Sequence, residues 1–383
     1  MSGKRLVVIP ADPLYKYYDK GEIKARYWNP CGLFDEVHII SLSPHDIAEE
    51  KVQVLVGDAR LRIHAIGRPT MWTLALYFSK VRRLIAAIKP DLIRAHGPWH
   101  TGSLAVYAGR ALGIPAVVSV HSDRDAQRRH EPSLLLQMVR PLESYTLRKA
   151  SVVICVSDYL HAYASRHGAR RTYTVYNKVY CEKFNTQREK KRDGVLQVLS
   201  VMRLDRAKNP ESLIDAIAPL DMHLKLIGQG ELEEALRRRV RDLNIADRVE
   251  FIRQVPNVEI AEHYQKADIF AMATHYEGFC IPVLEAMAAG LPIVASATGP
   301  IPEVLGDTGL LVDNNSAAFT HALATLQHDA QRREVMGAAA RQRAEAINGT
   351  QMEEREKHLY RVLMDRRQDE LDFMLSDVGR FVN

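Results

Sequence analysis

No run of eighteen or more apolar residues occurs in this 383-residue chain, which argues against an ordinary membrane-spanning helix. The apolar stretch within Met1 to Pro10 is only strand-length, too short for a secretory signal, so a cytoplasmic location is expected. Cysteine is scarce. The four present, Cys31, Cys155, Cys181 and Cys280, are far apart and form no C-x-x-C pair. Neither a disulfide framework nor a zinc site is suggested, and free thiols in a reducing compartment are expected. Excess charge of one sign is also lacking. A net +5 suits phosphate-bearing ligands or an anionic membrane surface and falls short of a nucleic-acid signature. Short-period repeats and low-complexity segments are absent as well.

What is present is a folded α/β composition, 46% hydrophobic and 26% charged, in a chain long enough for two cores and hence for a cleft between them. Short β-branched apolar runs at Arg5 to Pro10, Val37 to Leu42, Asp91 to Arg94, Ala116 to Val120 and Val152 to Val156 read as buried parallel strands. Helical spacing is clearest at Met71 to Ile88, Gly102 to Leu112 and Leu134 to Arg148. That alternation predicts a doubly wound sheet over residues 1–184. A polar stretch at 185–194, holding QREKKRDG, reads as a linker, and the same grammar then restarts over 195–365. Its strands fall at Leu196 to Val201, His223 to Ile227, Val249 to Ile252, Asp268 to Ala273 and Ile293 to Ala295. The charged, helix-favouring tail either closes the second domain or, over 366–383, crosses back to the first. Basic clusters at Arg124, Arg128 and Arg129 and at Arg188 to Arg192 read as a solvated helix face and a polar linker rather than as lipid-binding patches.

The stretch DIFAMATHYEGFCIPVLEAMAAGLPIVAS, Asp268 to Ser296, is a strand, loop, helix and strand. The helix is predicted to start at Pro282 and to stop at Gly290. In an open α/β sheet the loop after a strand faces the ligand crevice, so the backbone N–H groups of Phe279, Cys280 and Ile281 would point at the ligand, with the helix amino terminus adding positive charge. A diphosphate is the natural occupant. Glu285, placed in the first helical turn, would stay ionised and accept hydroxyl hydrogen bonds such as a ribose diol offers. Arg203 and Lys208 lie on another crevice-facing loop, before a helix capped by Asn209, and suit a diphosphate too. Gly228 and Gly230 alone lack the third glycine of a dinucleotide fingerprint.

Taken together, EGFCIPVLEA with Glu277 and Glu285, GLPIVAS, GPIPEVLGDTGLLV, VMRLDRAKN and LIGQG resemble the donor site of family 4 retaining glycosyltransferases, the glycosyl transferases group 1, of the GT-B fold. The resemblance covers most of the second half. It implies two Rossmann-like domains facing a central cleft, with the acceptor on the first and a nucleotide diphosphate sugar on the second. It implies that Glu285 binds the ribose and that Glu277 holds hydroxyls of the donor sugar. Arg203 and Lys208 would grip the diphosphate and stabilise the leaving nucleotide, so that no metal and no cofactor is required. The base would lie near Val255, between Arg253 and Pro256. His121, after the strand Ala116 to Val120, matches a family histidine that touches the donor sugar; a structural histidine is the alternative. His96 and His100 stay outside the expected core site. Gly21, within DKGEI, occupies about the place of the family's glycine-rich loop after the first strand.

Some positions depart from the family pattern. Lys20-Gly21 replaces a glycine pair, Asn177-Lys178-Val179-Tyr180 replaces Asn-Gly-Val-Asp, and Cys280 replaces the last glycine of an EGFG-like loop. If that position needs positive φ, cysteine strains the loop. The expected activity is transfer of a hexose-type sugar, with retention, from a UDP- or GDP-sugar to a lipid-linked, polysaccharide or small-molecule acceptor. Peripheral membrane contact through the first domain is part of that expectation, and nucleic acid is not. A nucleotide-sugar epimerase and a non-catalytic nucleotide-sugar binding protein are the rival readings.

Overall fold

A computed structural model of the chain describes residues 3–70, 72–184 and 194–376. Most of the expected linker, including Arg188 to Arg192, lies outside the described residues, as does the tail beyond 376. The described residues form two compact units, 3–176 with 351–376 and 177–184 with 194–350.

The first unit is built on seven strands: β1 (Arg5–Ile9), β2 (Glu36–Ser41), β3 (Arg60–Ala65), β4 (Leu92–His96), β5 (Ala116–Val120), β6 (Val152–Cys155) and β7 (Thr172–Thr174). They pair in the order β3-β2-β1-β4-β5-β6-β7, all parallel. Leu6, Val7, Val8 and Ile9 of β1 are wholly buried, as strands covered by helices on both faces require. The order reverses between β1 and β4, and a doubly wound sheet opens its ligand crevice at such a reversal.

The second unit carries β8 (Leu196–Val201), β9 (Met222–Ile227), β10 (Val249–Ile252), β11 (Ile269–Met272), β12 (Ile293–Ser296) and β13 (Leu310–Val312), again parallel, in the order β10-β9-β8-β11-β12-β13. Its reversal falls between β8 and β11. Every strand read from the sequence is present. Those not foreseen, β3, β7 and β13, are all edge strands, whose residues are short in number or alternate with polar ones.

Three expectations are corrected. The stretch Leu134 to Arg148 is two helices, Leu134–Met138 and Arg140–Lys149, because Pro141 cannot donate to a continuing helix. Residues 177–184 join the second unit, where the Phe184 ring meets Tyr264 edge-on at 5.6 Å. The return to the first unit begins at Gln351, well before 366. The helix Gly349–Met364 buries Leu359 and Tyr360, and its Glu356 pairs with Arg94 of β4 inside the core. Arg26 approaches Glu353 of the same helix at 3.6 Å. The sequence marks this helix as charged, but two of its acids, Glu353 and Glu356, are buried partners of first-unit arginines.

Candidate functional site

At the reversal of the second sheet the loops after β8 and β11 are stitched together. The Thr274 hydroxyl donates to the Ala207 carbonyl at 3.1 Å and the His275 N–H donates to the same oxygen at 2.8 Å. These bonds bring the Lys208 ammonium onto the Glu277 carboxylate, both side chains nearly buried. Gly299, at φ +58°, backs this loop; a Cβ there would stand 3.2 Å from the Glu277 carbonyl oxygen. Arg203 is not drawn in. Its guanidinium is largely exposed and meets Asp205 at 2.8 Å.

Asn209 takes the position before the helix Pro210–Ile217 at φ +45° but makes no side-chain cap. Its amide instead donates to Asn314 Oδ1 at 3.1 Å, tying in the loop after β13. The glycines of LIGQG serve backbone contact. A Cβ on Gly228 would fall 1.8 Å from the Met202 carbonyl oxygen, and one on Gly230 2.2 Å from that of Leu204. Only glycine lets the loop after β9 lie against the loop that carries Arg203.

The helix after β11 runs Ile281–Ala288, one residue earlier than expected, and stops at Gly290 with φ +69°. Glu285 is its fifth residue, and the first turn holds no acid, so the placement of Glu285 in that turn is corrected. What fixes its carboxylate is Tyr264, whose hydroxyl donates at 2.8 Å. Burial pushes the Tyr264 phenol well above its usual range, with Glu285 adding, so it remains a donor. Phe279 and Cys280 bury their side chains just before the helix, where the first N–H groups lack intrahelical acceptors. Cys280 sits at φ +65° and ψ +68°, so the position does require the left-handed region. Burial, then Glu277, raises its thiol well above the ordinary value; it is a neutral packing group and no thiolate. Val255 lies on the loop after β10, the edge strand two places from the reversal, and is partly exposed.

In the first unit His121 follows β5 at the same end of the sheet as the reversal. Its ring stacks on His96 at 5.3 Å and 14°, and its Nε2 lies 2.9 Å from Ser119 Oγ. Burial, then Arg94, lowers its pKa to about 4, so it is neutral at pH 7. Arg94 Nε donates to His96 Nε2 at 3.2 Å, which makes that nitrogen an acceptor and fixes the His96 tautomer. His96 thus belongs with His121, a link hidden in the sequence because it runs across adjacent strands. Gly21 is placed differently from the expectation. It follows the helix Leu14–Asp19 rather than the strand, and its φ of +67° serves the helix stop.

The loops after β1 and β4 instead border a cavity of about 630 Å³ that sequence reasoning missed. Its polar wall includes Arg68, His100 and Lys16, the last paired with Asp12 of the same wall at 2.9 Å, and its apolar wall Leu74, Leu135 and Val139. His100 is held below its ordinary pKa by burial, then by Arg68 and Arg124. Leu134 and Met138, next in sequence to Leu135 and Val139, are exposed, as is Trp72, two residues before Leu74. Of the basic cluster nearby, Arg129 is exposed as expected, but Arg124 and Arg128 do not form a solvated face. Arg124 lies 3.7 Å over the Trp99 ring, while Arg128 donates to the buried Glu143 at 2.5 Å and to the Leu136 carbonyl at 2.9 Å.

Comparison with known families matches residues 182–343 to the glycosyl transferases group 1 and residues 25–178 to a glycosyl transferase 4-like domain. The second unit thus carries a group 1 glycosyltransferase domain and the first a glycosyl transferase 4-like domain. Among curated relatives, the GDP-mannose-dependent alpha-(1-6)-phosphatidylinositol monomannoside mannosyltransferase of Mycolicibacterium smegmatis is 35% identical over 186 residues, 45% of this chain and 48% of that one. The D-inositol 3-phosphate glycosyltransferase of Corynebacterium glutamicum is 34% identical over 165 residues, 39% of this chain and 40% of that one. The chain thus spans about half or less of the length of these relatives. Among solved structures, sucrose-phosphate synthase from Thermosynechococcus elongatus superposes with a TM-score of 0.75 at 21% identity, covering 95% of this chain and all of that one. Anabaena Alr3699/HepE in complex with UDP gives 0.74 at 19% identity, covering 93% and 98%. At these identities the likeness establishes the fold, two Rossmann-like units of the GT-B class. Among the described residues no helix is long and apolar enough to cross a membrane.

Proposed function

We infer that this chain acts as a group 1 glycosyltransferase and moves a hexose-type sugar from a UDP- or GDP-sugar to an acceptor with retention of anomeric configuration. The observation that carries the reading is the Lys208–Glu277 pair at the reversal of the second sheet, beside the amino terminus of the helix Ile281–Ala288. An ammonium has three donors; one on Glu277 leaves two for diphosphate oxygens. Arg203, on a long exposed side chain, reaches toward the same diphosphate. Together the two cations offset the charge that grows on the leaving nucleotide, so the proposal routes that task through the protein and assigns no metal ion or cofactor to it. Glu285, held by Tyr264, takes the ribose hydroxyls. Glu277 holds sugar hydroxyls beside the reacting carbon, which supports a front-face departure rather than a covalent intermediate. The backbone of Phe279, Cys280 and Ile281 faces the phosphates, and the loop at Val255 takes the base. His121, in the first unit, is neutral and can exchange hydrogen bonds with a hydroxylated ligand without adding charge.

For the acceptor, the first-unit cavity supports an amphiphile, since it sets Arg68 and the Lys16–Asp12 pair against an apolar wall, with exposed apolar residues near it in sequence. A lipid-linked acceptor therefore ranks ahead of a polysaccharide or a small metabolite, with Trp72, Leu134 and Met138 touching the membrane surface. The relatives named for a phosphatidylinositol mannoside and for inositol 3-phosphate are consistent with a phosphorylated acceptor. The test is product analysis by proton NMR with each nucleotide sugar and a lipid extract. Transfer with the donor's anomeric configuration kept supports the reading; an inverted product, or an altered nucleotide sugar released without any acceptor, refutes it.

A further inference from the structure

A second cavity, of about 600 Å³, opens at the other end of the first sheet, where β5, β6 and β7 begin. Ala116, the first residue of β5, and Ser151, just before β6, lie in its wall. This end is opposite the one that carries His121 and the reversal of strand order, so the cavity belongs to neither the donor nor the acceptor site described above.

Its lining holds Arg110, Arg148, Lys149, Arg170, Arg171 and Arg366, and no acidic residue. These come from four separate segments: the ends of the helices His100–Leu112, Arg140–Lys149 and Gly349–Met364, and the approach to β7. Among the described residues the one ion pair made by any of the six is Arg171 with Asp372, at 3.5 Å between exposed side chains. Helix carboxyl ends attract cations, and Arg366 does donate to the Gly113 carbonyl at 3.4 Å. That accounts for a cation or so per helix end. It leaves Arg170 and Arg171 unexplained, because they stand on no helix end.

Five of the six are arginines, whose planar fork matches phosphate oxygens two at a time. Like charges crowded around a concave surface repel one another unless an anion sits among them. The volume is that of an organic ligand rather than of one phosphate ion. We propose that this cavity binds a multiply charged phosphate group, carried either by a soluble polyphosphorylated molecule or by an anionic lipid headgroup, at a site separate from sugar transfer.

The probes are inositol hexakisphosphate for the soluble source and phosphatidylglycerol–phosphatidylcholine vesicles for the headgroup. Binding is measured by calorimetry and cosedimentation on the wild type, on Arg148→Glu/Arg170→Glu, and on Arg203→Ala as a donor-site control. An Arg148→Gln/Arg170→Gln pair replaces the glutamate pair if the latter does not fold. At least one probe should bind the wild type, weaken with added salt, lose about tenfold or more in affinity in the double variant, and bind Arg203→Ala as it does the wild type. Response to the soluble probe alone assigns a soluble ligand, and response to vesicles assigns a headgroup. The proposal fails if neither probe binds, if the double variant binds like the wild type, or if Arg203→Ala abolishes the binding.

Discussion

Lys208 and Glu277 meet across the reversal of the second sheet, 69 residues apart in sequence, one on the loop after β8 and the other on the loop after β11. Their side chains are only 13% and 10% exposed, so each compensates the other's lost hydration. Lys208→Ala should cost about 2–3 kcal/mol of stability, because it leaves a nearly buried carboxylate without its partner. Glu277→Gln keeps the shape and a hydrogen bond, and should melt close to the wild type while losing about a hundredfold or more in kcat. Urea unfolding and steady-state transfer rates, read side by side, separate the two effects.

The pair also indicates how much of the site was legible. The order of strands, loops and helix placed Arg203, Lys208 and Glu277 on loops that follow strands and Glu285 on a helix, since strand periodicity and proline and glycine punctuation are local signals. What the sequence did not carry were partners brought in by topology: Tyr264 on Glu285, His96 on His121, Asn314 on Asn209, and Arg94 on Glu356. Arg203 illustrates the reverse case. Its place in the motif is legible, yet its guanidinium pairs with Asp205 at the surface, a contact that motif spacing does not show.

His121 titrates in the opposite sense from a histidine that gains an acidic partner. Its folded pKa, about 4, lies below the ordinary value of about 6.5. Between those values the unfolded chain binds a proton that the folded one refuses, so stability falls as pH drops from about 6.5 toward 4. Relative to the wild type, His121→Gln should lose less stability over that window while matching its slope above pH 7. Denaturation at several pH values checks this; parallel curves would place the burial elsewhere.

Cys280 holds a left-handed conformation that a Cβ disfavours by about 1–2 kcal/mol. Cys280→Gly should therefore be more stable than Cys280→Ala by about 1 kcal/mol, the reverse of the usual ranking of the two residues near a helix. Chemical denaturation of both variants is the measurement. In the same folded protein the thiol should resist iodoacetamide at pH 8, since burial keeps it protonated.

Gly228 is fixed by space and by backbone at once, with φ +145° and the Met202 carbonyl oxygen where a side chain would begin. Gly228→Ala should destabilise the second unit by about 3 kcal/mol or more, or prevent its folding. A first unit that still unfolds at its wild-type midpoint would localise the damage. Similarly, Glu356→Ala leaves Arg94 buried without its carboxylate and should cost about 3–5 kcal/mol, read in the first unit.

The most direct test of donor binding at the reversal of the second sheet is thermal unfolding of the wild type and Arg203→Ala with UDP, GDP and ADP. Arg203 is exposed and lies outside the Lys208–Glu277 pair, so the variant should melt like the wild type without ligand. At about a hundred times its dissociation constant, one diphosphate should stabilise the wild type by about 2.7 kcal/mol, and Arg203→Ala should lose most of that gain at the same concentration. A folded wild type that no nucleotide diphosphate or nucleotide sugar stabilises would contradict the account.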